Sequence, residues 1–457
     1  MSSSRGLLVD HASGETHNAL LALLLNNFKE LSWKHPTETS LDTQDYGIQL
    51  IQRVLEPLEV NILPTGSTAE NVCSVYIGHS EFGLPILYSA ESDIMAVIDI
   101  CKLLDESLTY SISATDCESP CFIRIELLKT GIPSKHENYN GGVLLMYSSY
   151  KEGEKSYLSP HLFINRCRER MEMSSILVKV EKPQIFRTYD IFEHGPAIQI
   201  KETRSLVQYT YYPKSTNPYS AQEDRRFNES DVDIVPALLL PEWPSLAAEW
   251  ITRPRKWPPQ KLVDEITSFG VMVVCKPPRG GNKLTDWRLS FSKAEVLLLS
   301  DTELPCKQHA HKIFKYIVKH LAGLPAVLNS YHCKSITLWA CERHQPSYWC
   351  WENLSRCVFG LLDDLLYCIA SAQCHHYFLP RMNLFENIPP EFLATIGQKL
   401  TEIRRNPKKY LQPVFGGCTH ELFSQAGPEN RTGDSDSIDS MLQKLELTPV
   451  RSNGDAP

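Results

Sequence analysis

No stretch of this 457-residue chain reads as a membrane span. The run ALLALLL at residues 19–25 has only seven residues between polar neighbours, far short of the roughly 20 that cross a bilayer as a helix. The opening MSSSRGLLVDHASGE lacks the basic segment and apolar run of a secretory leader. The 14 cysteines follow no regular framework, so reduced thiols in a cytoplasmic or nuclear protein are expected. No internal repeat of about 20 to 50 residues is visible, which excludes solenoids and propellers. Positive charge is also short, with 46 Lys and Arg against 54 Asp and Glu. A net charge of -8 argues against uniform coating of nucleic acid, although it leaves room for a local basic face. What is present is ordinary globular composition, 42% hydrophobic and 22% charged, enough for one large core or two medium ones.

Apolar periodicity divides the chain. Leu20, Leu21, Leu24, Leu25, Phe28 and Leu31 recur at helical spacing and predict an amphipathic helix over 16–33. A second helix is expected in DYGIQLIQRVLEPL, followed by short β-rich runs, DIMAVIDI, CFIRIELL, GGVLLMYS and AIQIKE. This alternation predicts a mixed sheet flanked by helices. From about residue 255 the pattern becomes helical, in FSKAEVLLLS, AHKIFKYIVKHLAGL, SITLWACE, LSRCVFGLLDDLLYCIASA and EFLATIGQKLTEIRR, broken by Pro and Gly. Composition after LQPVF turns to Gly, Ser, Asp, Asn and Pro. The expected organisation is therefore a flexible 1–14, a sheet-bearing lobe over 15–250, a mainly helical lobe over 251–415 and a disordered tail over 416–457.

Three acids and one turn carry chemistry. In LYSAESDIMAVID, Glu91 and Asp93 stand two apart in a strand-like run and so share a face. Two carboxylates on one buried face repel each other unless a cation lies between them, and Mg2+ suits such oxygens. Acid-x-acid pairs are common by chance, and a solvated strand edge is the plainer reading of this one alone. A third acid, Asp233 in DVDIVPALLL, heads another apolar run. If the two strands are neighbours, the three acids could hold two metals about 4 Å apart. Upstream, Gly66 and Ser67 in NILPTGSTAENV form a corner whose backbone N–H groups and hydroxyl suit a triphosphate. These are the parts of a nucleotidyltransferase, which displaces pyrophosphate in line between two metals.

With these residues in place, the chain resembles the cyclic GMP-AMP synthase-like receptors and the wider male-abnormal-21 group, over residues 15 to 415. The likeness rests on the corner, the three acids in order, VDIVPALLLPEWPSLAAEW, DWRLSFSKAEVLLL, LLDDLLYCIASAQCHHYFLPRMNLF and LQPVF. It implies a bilobal α+β nucleotidyltransferase fold, with a mixed twisted sheet and N-terminal spine helix in the catalytic lobe and a helix bundle as the C-terminal lobe. It also implies that Glu91, Asp93 and Asp233 hold two Mg2+ or Mn2+ ions. Arg288 would contact a purine or phosphate, Lys315 would hold the triphosphate, and Ser330 and Tyr331 would form the Ser-Tyr pair whose ring stacks on a base. Without the resemblance, each of these four reads as packing or a solvated charge.

Two departures stand out. SVYIGHSEFGLPILYS, about residues 74–90, is an apparent insertion between corner and acids. The zinc-binding insertion of the vertebrate DNA sensor is missing, because LLLSDTELPCKQHAHKIF runs almost directly from one helix to the next. Cys306, His309 and His311 remain, one ligand short of a closed tetrahedral site, so no structural zinc is expected. CHHYF and the pair Cys117 and Cys121 read as core or loop residues.

Many invertebrate relatives without the zinc insertion are similar to double-stranded RNA sensors, and residues 251–320 hold 13 Lys and Arg against six Asp and Glu. A phosphate-binding face there is expected to read duplex RNA by shape, ahead of DNA, against the plainer reading of a salt-bridged helical surface. The expected function is thus synthesis of a cyclic dinucleotide from ATP, GTP or other nucleoside triphosphates, on nucleic-acid binding, for a STING-type receptor. Two rivals are a catalytically silent relative that binds nucleic acid or protein, and an enzyme making linear oligonucleotides.

Overall fold

The computed structural model describes residues 38–56, 58–65, 76–79, 85–88, 93–104, 108–115, 120–129, 148–175, 186–209, 223–276, 278, 280–321, 327–407 and 409–411. The helix expected over 16–33, the corner Gly66-Ser67, Glu91, most of GGVLLMYS and the tail all lie outside the described residues.

The chain begins with helix α1 (Glu38–Leu55), which covers most of the second helix expected from sequence, and strands β1 (Val60–Thr65), β2 (Tyr76–His79), β3 (Pro85–Tyr88) and β4 (Asp93–Asp99). Next come the short α2 (Ile100–Leu103), β5 (Leu108–Ala114), β6 (Phe122–Lys129), β7 (Ser149–Glu152), β8 (Lys155–Leu158), α3 (Pro160–Ser175), β9 (Phe186–His194), β10 (Ala197–Tyr209) and β11 (Glu223–Leu240). The remainder holds α4 (Ala248–Thr252), α5 (Gln260–Ser268), β12 (Val271–Val274), β13 (Asp286–Ser290), α6 (Ser292–Ser300), α7 (Lys307–Tyr316), α8 (Ser330–Arg343), α9 (Leu354–Ser371) and α10 (Pro390–Arg405). Among the described residues no helix is long and apolar enough to cross a membrane.

One large mixed sheet runs β1-β4-β11-β12-β13-β6-β8-β7, with β10 joining β11 to β9 and β5 on β6. β12 and β13 come from beyond residue 250, so the sheet draws chain from both sides of the expected lobe boundary. The buried VMVV and the largely buried DWRLS are short strand sequences that take the edge β11 offers once β10 has ended. The apparent insertion contains a hairpin of its own, β2 against β3. β11 is the hub: Ile234 is its last residue paired with β10 and Ala237 its first paired with β12. Pro236 falls in that gap, where a missing N–H disturbs the ladder least.

The two sheet faces differ, as alternation along a strand requires. Ile94, Ala96 and Ile98 of β4 enter the main core with Leu50, Ile51 and Val54 of α1 and Phe163, Cys167 and Met171 of α3. The opposite face carries a smaller apolar cluster, Met95, Val97, Ala237, Met272 and Val274. Beyond the sheet α7, α8, α9 and α10 pack successively as helices. An aromatic joint ties them to it: Phe291, just before α6, stacks on Phe378 at 4.5 Å, and Trp250 lies 5.0 Å from the same ring. VDIVPALLLPEWPSLAAEW and CHHYF, far apart in sequence, meet here.

Candidate active site

β4 and β11 run parallel and adjacent, and their register sets Asp93 directly beside Asp233. On the other side of β4, Thr65 pairs with Asp93, so β1 ends in the same row, one residue before Gly66 in the sequence. Gln199 continues the row beyond Asp233. The acids share a face with Met95, Val97 and Ala237, the smaller apolar cluster, which forms a dry floor beside them. The condition left open by the sequence, that the two strands be neighbours, is met.

The carboxylate of Asp233 is held asymmetrically. Its Oδ2 lies 3.2 Å from His194 Nδ1, whereas Oδ1 is buried and has no hydrogen-bond partner among the described residues. A buried carboxylate oxygen without a donor is costly, and a hard cation is the usual group to face it. The residues present therefore fit a divalent ion at this row. Among the described residues no three His, Cys, Asp or Glu side chains gather as a metal site. Glu91, the third acid, is not among those residues.

Arg288 lies on the same sheet face, farther along. It pairs with Val274, which pairs in turn with Ala237, four residues on from Asp233 and so equally oriented. At about 3.3 Å per residue and 4.8 Å per strand, the two are about 16 Å apart, a span suited to a nucleotide. Arg288 is half-buried, and its charge bears on both Tyr331 and His376.

Tyr331 is set by local chemistry. Asn329 caps α8 by accepting from the backbone N–H of Tyr331 at 3.0 Å and of His332 at 3.3 Å, and the Asn329 N–H donates back to His332 Nδ1 at 3.1 Å. This reciprocal cap fixes Ser330 and Tyr331 in the first turn. The Tyr331 hydroxyl then meets Glu295 Oε1 at 3.0 Å and His376 Nε2 at 2.7 Å, while Lys334 Nζ donates to Glu295 Oε2 at 2.7 Å.

The direction of this chain follows from His376. The N–H groups of Phe378 and Leu379 both donate to its Nδ1, each at 3.1 Å, so the ring proton sits on Nε2 and is given to the Tyr331 oxygen. Tyr331 in turn donates to Glu295. Burial pulls the His376 imidazole down to about 4, outweighing the nearby Glu295 carboxylate, and Arg288 adds to the fall. Burial pushes the Tyr331 phenol well above its usual range, with Glu295 assisting. Burial alone would raise Glu295, but Lys334 holds its carboxyl below the usual range. Glu295, His376 and Lys334 were not singled out from sequence. Glu295 lies inside DWRLSFSKAEVLLL, and a carboxylate on the apolar side of a predicted helix was the available signal.

The remaining candidates sit in the helical lobe. Lys315 is 4% exposed in α7, and its charge bears on His311 and on Cys333 of α8. Cys306, His309 and His311 face three different neighbours: Cys306 Sγ is 3.8 Å from Cys357 Sγ, His309 packs edge-on against Trp351 at 4.7 Å, and His311 Nδ1 is 2.7 Å from Thr337 Oγ1. Within the basic stretch, Arg253 is committed to Glu342 through two 2.7 Å bonds, and the buried Lys307 donates to the carbonyls of Leu298 and Asp301. Lys256, Lys261, Lys276 and Lys283 are exposed.

A twisted mixed sheet with an acid row on one face, leading into a helical C-terminal lobe, defines an α+β protein of the nucleotidyltransferase type. Residues 111–301 match the Mab-21 protein nucleotidyltransferase domain, and residues 306–402 match the Mab-21 protein HhH/H2TH-like domain. The chain belongs to the Mab-21 family. It is 29% identical over 181 residues to "Protein mab-21-like 3" of Xenopus laevis, covering 39% of this chain and 47% of that one. To "Protein mab-21-like 3" of Danio rerio it is 27% identical over 278 residues, covering 58% of this chain and 68% of that one. The chain thus spans about half the length of the first relative. The first domain match contains Asp233 and Arg288 but begins after Gly66, Ser67, Glu91 and Asp93.

Proposed function

We propose that the protein is a nucleotidyltransferase that joins two nucleoside triphosphates, ATP and GTP foremost, into a cyclic dinucleotide. The observation that carries this reading is the register of Asp93 beside Asp233, with one buried Asp233 oxygen left without a donor among the described residues. A silent relative would have no evident use for two aligned carboxylates, which repel each other. Glu91, Asp93 and Asp233 would hold the cations, Mg2+ or Mn2+, which when bound supply charge to the transferring phosphate. Gly66 and Ser67 grip the triphosphate, and Asp233 helps draw the proton from the attacking ribose hydroxyl. Arg288 contacts a purine or phosphate, Tyr331 stacks on a base with Ser330 beside it, and Lys315 serves the triphosphate from α7.

The activator in this reading is a nucleic acid, duplex RNA ahead of DNA, and the product acts on a STING-type receptor. Support comes from the basic excess of residues 251–320 and the exposed Lys256, Lys261, Lys276 and Lys283 within it. Activation should weaken steeply with salt, as phosphate contacts do.

The test is incubation of the purified chain with the four common nucleoside triphosphates and Mg2+ or Mn2+, with duplex RNA, duplex DNA or neither, and product identification by mass spectrometry. A cyclic dinucleotide that disappears in Asp233→Ala supports the reading. No product under any condition overturns it in favour of a binding protein, and a ladder of linear products would make it an oligonucleotide synthase.

A further inference from the structure

His194 stands outside every motif that the nucleotidyltransferase reading uses, yet it touches the acid row. It is the last residue of β9, and it pairs with Ala197, the first residue of β10. Only Gly195 and Pro196 connect them, and Gly195 has φ 65°, as the primed two-residue hairpin turns require.

β10 lies between β9 and β11, so the imidazole must cross one strand to reach Asp233. Gln199 pairs with Asp233, and Ala197, two residues before it, shares its face. The residue that pairs with His194 on the intervening strand is the small Ala197, and His194 Nδ1 lies 3.2 Å from Asp233 Oδ2. A carboxylate only accepts, so Nδ1 carries the proton in this contact.

We propose that His194 is a positioning residue for Asp233: its Nδ1–H fixes Oδ2 and thereby turns the buried, unpartnered Oδ1 toward a divalent cation. This rests on the metal-binding reading of Asp93 and Asp233. The two carboxylate oxygens thus divide their work, one held by protein and one kept for the ion. A hydrogen bond to a ligating carboxylate restricts its orientation, and the loss of such a partner commonly weakens metal binding by about 10- to 100-fold. His194 is 64% exposed and supports no core packing, so its replacement tests positioning without threatening the fold.

The experiment is Mn2+ titration of the full chain, followed by electron paramagnetic resonance without nucleotide, for wild type, His194→Ala, His194→Asn and Asp233→Asn. Thermal unfolding in EDTA verifies that the variants are folded. The amide nitrogen of Asn takes the place of Nδ1 and can still donate. His194→Ala is expected to weaken Mn2+ binding by about 10- to 100-fold, whereas His194→Asn stays within about threefold of wild type. Unchanged affinity in His194→Ala, with affinity lost in Asp233→Asn, overturns the positioning role and leaves the metal reading intact. Equal loss in His194→Ala and His194→Asn also overturns it, because donation from the Nδ1 position would not matter. If wild type binds no Mn2+, or Asp233→Asn binds as well as wild type, both readings fail.

Discussion

Tyr331 Oη lies 2.7 Å from His376 Nε2 and 3.0 Å from Glu295 Oε1, so a single phenol joins the first turn of α8 to α6 and to the CHHYF segment. The hydroxyl is engaged by the protein, so under the proposed function it is the ring that stacks on a base. Tyr331→Phe should therefore keep nucleotide affinity within about threefold, while Tyr331→Ala should lose about 1 to 3 kcal/mol of it, the worth of one base stack. Nucleotide titration by calorimetry distinguishes the two. In the absence of ligand, Tyr331→Phe should cost about 1 to 3 kcal/mol of stability, because the buried partners His376 and Glu295 lose a bond.

The same network fixes a pH response. The His376 ring, neutral when folded and held at about 4, titrates near 6.5 when unfolded, so the unfolded chain binds the extra proton between these values. Stability from this group is complete above pH 6.5 and is lost as the pH falls toward 4, by about 3 kcal/mol. Glu295, held low by Lys334 despite its burial, loses stability in the same direction below its ordinary range. His376→Asn keeps an acceptor for the Phe378 and Leu379 N–H groups but has no titrating ring. Urea midpoints between pH 7 and pH 4.5 should fall less steeply in this variant than in wild type.

Among the described residues, Arg253 and Glu342 form a buried ion pair with both side chains less than 10% exposed and two bonds of 2.7 Å. The guanidinium also donates to Tyr377 O and lies 4.0 Å above the Trp339 ring. Arg253→Met alone should cost about 3 to 5 kcal/mol, since a buried carboxylate is left uncompensated. Adding Glu342→Gln should recover part of that loss. A double-mutant cycle by chemical denaturation measures the coupling, and additive losses would contradict it.

Asp93 and Asp233 stand in register, so removing one charge has opposite consequences with and without metal. In EDTA, Asp93→Asn should be at least as stable as wild type, because a like-charge pair is relieved. With Mn2+ at about 100 times its dissociation constant, wild type should gain about 2.7 kcal/mol and the variant much less. Thermal melts across a Mn2+ series measure the difference.

Several parts of this site were legible in the order of residues alone. The short, β-rich apolar runs DIMAVID and DVDIVPALLL identified strands with acids at their heads, and helical periodicity identified α6 through α10. Local rules sufficed because strand and helix periods are properties of consecutive residues. VMVV and DWRLS were harder to read. Both are short, and their strand state depends on the free edge of β11, which sequence does not display. The basic stretch was also only partly legible: Arg253 is paired with a residue 89 positions away.

The sequence by itself determined the residue types, a sheet-bearing part followed by a helical one, and the acids at the heads of two strands. Only tertiary structure decided that Asp93 and Asp233 share a row, that Tyr331 leans on Glu295 and His376, and that His194 reaches across β10 to Asp233. These are pairings between distant segments, set by sheet register and helix packing. Moving a strand by one residue would carry its acid to the opposite face while leaving the sequence pattern unchanged.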